Sequence, residues 1–350
     1  MQRNGSSFPG GPGGEGASVI IDVHTHFFPP GYLAALERGP APYAIDRDAA
    51  GRTILTLHGA RIVTMTQEMT SPEDRLVDMG RLGVDCQIVS VTIPNVYFGP
   101  ADRRCDLARM ANDGLAELTH RFPRRFAALA SVPLEDPEAA IRELDRAILE
   151  LEMVGVILGS NMGGRYLDDP AFMPFFERTE ALQVPILVHP MPPADPDPTF
   201  TRGLVPLLGF VFNTSASVAR MILAGVFERL PKLQIILAHL GGTLPYLMQR
   251  LDNGYRAYPE ARATLPHAPS HYLKRLYYDT VSFSVPSLEC ALGAVGPEHI
   301  VMGTDYPHVI GDIGAALESV RSLALPPPAI AGILGDTALR LFPRLVTRAK

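Results

Sequence analysis

The sequence predicts an α/β chain folded as a (β/α)8 TIM barrel, and three observations carry that prediction. Eight short apolar runs rich in β-branched residues alternate with longer stretches of helical period. Most of these runs lack strict apolar–polar alternation, as expected of parallel strands covered on both faces. The length of 350 residues suits one such barrel with excursions. A composition 47% hydrophobic and 19% charged agrees, because it supplies a large core and is too apolar for disorder.

Residues 1–17 (MQRNGSSFPGGPGGEGA) predict a disordered Gly/Pro-rich tail, leaving the barrel domain at 18–350. The tail is not a phosphate loop, since no strand precedes it and no Gly-Lys-Ser/Thr follows. Strand one is expected at Val19–His24. Residues 50–66 read as two short strands about His58-Gly59, a small hairpin inserted after strand one. The remaining strands are expected at Cys86–Ile93, Phe126–Val132, Val154–Gly159, Pro185–His189, Gln234–His239, Leu276–Val281 and His299–Gly303. Between them fall helices at Pro72–Leu82, Arg103–Arg121, Pro137–Leu151, Pro170–Leu182, Ser215–Leu230 and Thr243–Arg256. Proline near several helix starts suits the first turn. Residues 190–212, opening PMPPADPDPTF, read as a Pro-rich loop, and 257–275 as a polar connection. Excursions of this kind gather on the catalytic face of a barrel.

Several functional classes are excluded from expectation. A net charge of −6 without a basic run offers a nucleic-acid backbone no electrostatic footprint. No apolar run of membrane-spanning length is read, and no apolar signal-peptide segment opens the chain. Three cysteines, Cys86, Cys105 and Cys290, read as small buried hydrophobes of a reducing compartment, so a cytoplasmic protein is expected. No dinucleotide fingerprint and no strand-end Schiff-base lysine calls for an organic cofactor.

Histidines mark the strand ends. Strand one closes on Asp22-Val23-His24-Thr25-His26, and side chains two residues apart on a strand share a face. Strand five ends in His189, strand six in His239, and strand eight runs into Asp305. In a closed parallel barrel these ends meet in one ring. Three imidazoles and a carboxylate are the ligand chemistry of a catalytic Zn²⁺. Asp22 is read as steadying the strand end, His308 as a residue lining the pocket, and His58 as an exposed turn residue. Asn213-Thr214-Ser215 is read as the cap of the following helix.

This ensemble resembles the amidohydrolase superfamily, and within it the branch of aminocarboxymuconate-semialdehyde and γ-resorcylate decarboxylases. The matching stretches are IDVHTHFFP (21–29), DRLVDMGRLGVD (74–85), VPILVHP (184–190), AGVFERLPKLQIILAHLGG (224–242) and MGTDYPH (302–308). The resemblance implies that His24, His26, His189 and Asp305 bind one divalent metal, Zn²⁺ or alternatively Mn²⁺, with His239 moving a proton beside it. Strand four has no lysine to bridge a second metal. It further implies that Arg250 reaches into a neighbouring subunit's site to bind a substrate carboxylate, hence a homodimer or dimer-based oligomer. Arg61 is the nearest candidate for a second substrate-binding arginine. The reaction implied is non-oxidative decarboxylation of a small hydroxy- or amino-substituted aromatic or muconate-like acid. The alternative is hydrolysis or hydration of a small carboxylate by metal-activated water. A catalytically silent barrel acting as a scaffold is a third reading.

Overall fold

A computed structural model describes residues 18–38, 42–193 and 198–348; the predicted tail lies outside them. Eight parallel strands form one sheet: β1 (Ile21–His26), β2 (Cys86–Ser90), β3 (Phe126–Ala130), β4 (Gly155–Gly159), β5 (Ile186–His189), β6 (Ile235–Leu237), β7 (Tyr277–Asp279) and β8 (Ile300–Val301). The sheet closes on itself. The Val23 N–H donates to the Met302 carbonyl at 2.9 Å, and Thr25 bridges Tyr306 in parallel. All eight overlap the predicted runs, with β1 shifted two residues toward its C-terminal end so that it includes His26. Ile21, Ile88, Leu129, Ile157, Leu187 and Ile236 fill the interior above Phe342, and the alternate positions Val89, Ala128, Val156, Val188 and Leu237 pack under the helices.

Helix boundaries follow local chemistry. Pro72–Leu82 starts where the Ser71 hydroxyl accepts from the Asp74 N–H at 3.3 Å, with Pro72 in its first turn. It stops at Gly83, whose φ of 77° ends the helix without a Cβ clash. The predicted hairpin is a three-stranded antiparallel sheet, Tyr43–Arg47, Thr53–Leu57 and Ala60–Thr64. His58 and Gly59 make its tight turn with positive φ. The strand missed in the sequence, Tyr43–Arg47, is a largely solvated edge and so lacks an apolar signature.

The segment 190–212 is not all loop. Residues 194–197 fall outside the description, but Val205–Gly209 is a π-helical turn running into the helix Phe210–Leu223. Pro206 sits in its first turn, where the missing N–H costs nothing. Asn213 therefore lies inside the helix rather than capping it. It is buried, accepts from Ser160 Oγ at 2.6 Å and Asn161 Nδ2 at 2.9 Å, and ties the helix to the end of β4. Val205–Leu223 is also long and apolar enough to cross a membrane, contrary to the sequence reading, although 56% of its most apolar window is buried inside the protein. The connection 257–275 carries two short helices, Pro259–Arg262 and Pro269–Leu273. No disulfide joins the cysteines; Cys86 is buried, whereas Cys105 is only partly buried and Cys290 is exposed, unlike the three buried residues expected.

Candidate metal centre

The two histidines of β1 owe their direction to an irregularity. Asp22 pairs with Gln87, but Thr25 pairs with Val89, so β1 holds one residue more than β2 over this stretch. The extra residue reverses the strand's parity, turning His24 and His26 inward opposite Ser90. His189 ends β5 on the same inward face as Leu187. His239 and Asp305 follow β6 and β8, and each holds a positive φ, 54° and 55°. Such backbone costs a non-glycine residue roughly 1–3 kcal/mol and survives only where neighbours enforce it. Here the Asp305 N–H donates to the His24 carbonyl at 2.9 Å, and the His239 N–H donates to Asp279 Oδ2 at 3.1 Å.

Each ring is held by Nδ1. His24 Nδ1 meets Asp279 Oδ2 at 2.6 Å, His26 Nδ1 meets Ser90 Oγ at 3.2 Å, and His189 Nδ1 meets the Pro190 carbonyl at 3.0 Å. The three Nε2 atoms consequently point at one place. His24 Nε2 and His26 Nε2 are 3.1 Å apart, and Asp305 Oδ1 lies 3.1 Å from the second and 3.3 Å from the first. His189 Nε2 is buried with no hydrogen-bond partner. Ligand atoms of His24, His26, His189 and Asp305 all lie within 4.8 Å of one another. Three oriented imidazoles, a carboxylate and an orphaned buried nitrogen fit a single divalent cation.

The electrostatics of two of the three imidazoles agree with that fit. Burial drives the His26 imidazole down to about 3 and the His189 imidazole well below its usual range, leaving neutral ligands. For His24 burial works in the same direction, but its hydrogen bonds to Asp279 and Asp305 prevail and raise it to about 10. Burial would raise Asp305, yet His308, His239, His24 and His26 around it hold the carboxyl well below the usual range.

A cavity of about 230 Å³ opens over this cluster, reached by His189, His239, Asp305 and His308. His239 is its most accessible imidazole among those on the strand ends, 14% exposed, with Nε2 3.5 Å from Asp305 Oδ2. His308 lines the wall as expected and bonds Thr92 Oγ1 through Nε2 at 3.0 Å. Arg61 also reaches the wall, its guanidinium 3.2 Å from Asp48. Arg250 is exposed on the helix Leu244–Ala257 and does not line its own chain's cavity. His58 is exposed at its turn. Asp22 is buried, pushed up to about 7 by that burial, and accepts from Thr304 Oγ1 at 2.6 Å.

Three further residues escaped the sequence reading. Asp279 ends β7 and orients His24; the signal was available, a carboxylate at a strand end like Asp305. Arg75 is fully buried and donates to the His26 carbonyl at 2.6 Å and to Gln87 Oε1 at 2.8 Å, clamping β1 from below. Gly303 leaves room that a side chain would fill, since a Cβ there would stand 2.9 Å from the Cβ atoms of both His24 and Asp279.

Comparison with known proteins places the chain. The family model described as amidohydrolase matches residues 21–344. A 2-amino-3-carboxymuconate-6-semialdehyde decarboxylase of Dictyostelium discoideum is 31% identical over 314 residues, 88% of this chain and 87% of that protein. A γ-resorcylate decarboxylase of Rhizobium radiobacter is 34% identical over 256 residues, 67% of this chain and 76% of the relative. Among solved structures, a dihydroxybenzoic acid decarboxylase of Polaromonas sp. with bound manganese and the inhibitor 2-nitroresorcinol superposes with a TM-score of 0.75. It is 27% identical, and the match covers 93% of this chain and 97% of that one.

Proposed function

The chain belongs to the amidohydrolase superfamily, in the branch of the γ-resorcylate and aminocarboxymuconate-semialdehyde decarboxylases, and on that premise we propose that it is a metal-dependent, non-oxidative decarboxylase. Its substrate is a small hydroxy- or amino-substituted aromatic or muconate-like carboxylic acid. The observation that carries this reading is the convergence of three Nδ1-anchored imidazoles and Asp305 beneath a cavity walled by His239.

His24, His26, His189 and Asp305 would hold the metal, with Zn²⁺ or Mn²⁺ the ion to load; the manganese of the Polaromonas relative supports the latter. A divalent cation there supplies Lewis acidity toward the oxygen or nitrogen substituent beside the departing carboxylate. The protein's own part is positioning and proton transfer. The bond between the unsaturated carbon and the carboxylate breaks, its electron pair stays on that carbon, and a proton from His239 forms the new C–H bond as CO₂ leaves. An imidazole placed this way contributes typically about 10²–10⁴-fold. The buried Asp279 and Ser90 keep His24 and His26 in one tautomer throughout.

The carboxylate grip is assigned to Arg250 of a second copy. Arg250 is free of its own cavity, and its helix flanks an exposed apolar groove between Phe212 and Leu251, beside Tyr246 at 80% exposure. Apolar surface of this kind is what a dimer contact covers. The test is mass spectrometry of substituted salicylates, resorcylates, anthranilates and muconates incubated with metal-loaded protein. A product lighter by CO₂, absent with His239→Ala, is expected. A product heavier by water would replace decarboxylation with hydrolysis or hydration.

A further inference from the structure

The cavity wall beyond the metal ligands narrows the substrate. Ile62 arrives from the insert, Ile93 from the segment after β2, Leu207 and Phe210 from the helix after β5, and Val309 and Ile310 from the segment after β8. Four separate segments thus converge on one wall with branched or aromatic side chains. Leu207, Val309 and Ile310 remain 61%, 54% and 52% exposed and make the mouth of the cavity apolar.

His308, Thr92, Arg61 and Thr64 on that wall each have a partner within the protein. His308 Nε2 is bonded to Thr92 Oγ1 at 3.0 Å. The Arg61 guanidinium is tethered at the rim by Asp48 Oδ2 at 3.2 Å, a carboxylate it shares with Arg52, and by Thr64 Oγ1 at 3.5 Å. Among the described residues no other arginine and no lysine lines the cavity. A ring bound with its reacting substituents toward His189, His239 and Asp305 would turn its remaining edge to this surface. A second carboxylate or a hydroxyl on that edge would lose water against a largely apolar wall and gain Arg61 only by drawing it from Asp48, whereas an alkyl group would gain by burial.

We propose that the acid this site takes carries one carboxylate and an apolar, alkyl-type substituent on the ring edge away from the metal. The inference rests on the decarboxylase reading for the orientation of the ring, so its test reads binding rather than turnover. Metal-loaded protein is titrated with unreactive ortho-nitrophenols, the nitro group standing in for the carboxylate. At each free ring position the substituent is hydrogen, methyl, hydroxyl or carboxylate.

For at least one position, methyl is expected to tighten binding roughly three- to fivefold over hydrogen. Carboxylate there should weaken binding by about tenfold or more. If the carboxylate or hydroxyl analogue binds tightest, Arg61 has moved from Asp48 to the ligand and the proposal falls. Equal affinities across every series, or no binding by any analogue, overturn it as well. Turnover of the matching carboxylic acids is then scored separately. An alkyl preference in binding without CO₂ release would sink the decarboxylase reading while leaving the apolar specificity standing.

Discussion

Substitution of Asp279 by asparagine tests how the metal centre is built. Asp279 Oδ2 accepts from His24 Nδ1 at 2.6 Å and from the His239 N–H at 3.1 Å; Oδ1 accepts from the N–H groups of Leu240 and Val281 at 2.8 and 3.0 Å. Asparagine keeps the shape but offers one carbonyl oxygen. With that oxygen on Leu240 and Val281, an NH₂ group faces His24 Nδ1. The ring must then accept at Nδ1 and carry its proton on Nε2, the atom the metal needs. Loss of a carboxylate that orients a ligating histidine costs typically about 10–100-fold in metal affinity. That corresponds to roughly 1.4–2.7 kcal/mol. Competition against a chromophoric chelator reads the affinity directly. Turnover at equimolar metal should fall in step and recover in excess metal. Wild-type affinity in Asp279→Asn would refute the tautomer argument. Turnover still lost at metal saturation would show Asp279 acting in the reaction itself.

Four other outcomes are expected. Gly303→Ala places a methyl 2.9 Å from the Cβ atoms of His24 and Asp279, so it should cost roughly 1–3 kcal/mol of stability, lower Tm and weaken metal binding together; thermal melts with and without metal would show it. Metal uptake at pH 7 should release about one proton per ion, because His24, raised to about 10, must lose its Nε2 proton to become a ligand. In metal-free protein the raised His24 stabilises the fold fully below its ordinary value of 6.5, and that contribution is lost as pH rises through about 10, which melts across that window would reveal. Mixing His239→Ala with Arg250→Ala chains should restore about a quarter of wild-type turnover, as one site is complete in each mixed dimer and half the dimers are mixed; exchanged dimers with no recovery would contradict the shared site.

Much of the barrel is legible in the sequence because strand-end chemistry is local. Period two places His24 beside His26, and an apolar run closing on histidine marks β5. What remains hidden is set by contacts far apart in the chain. The bulge that turns His24 inward is defined by pairing with β2, so no reading of residues 19–26 alone contains it. Arg75 resembles a solvated helix residue in DRLVDMGRL until the fold closes it beneath His26. Asn213 sits in a sequence that reads equally as a cap, and only its partners on β4 show a helix interior. Tyr43–Arg47, an exposed edge, has too little apolar pattern to read as a strand.

The most direct test of the central claim is a metal titration. Chelator-stripped protein receives Mn²⁺ or Zn²⁺ in steps while CO₂ release from a hydroxy-substituted aromatic acid is followed. Release should be absent at the start, rise in proportion to bound metal, and level off at one ion per chain. Full CO₂ release from stripped protein, a plateau only at two ions per chain, or metal uptake with hydrated product and no CO₂ would contradict a single-metal decarboxylase.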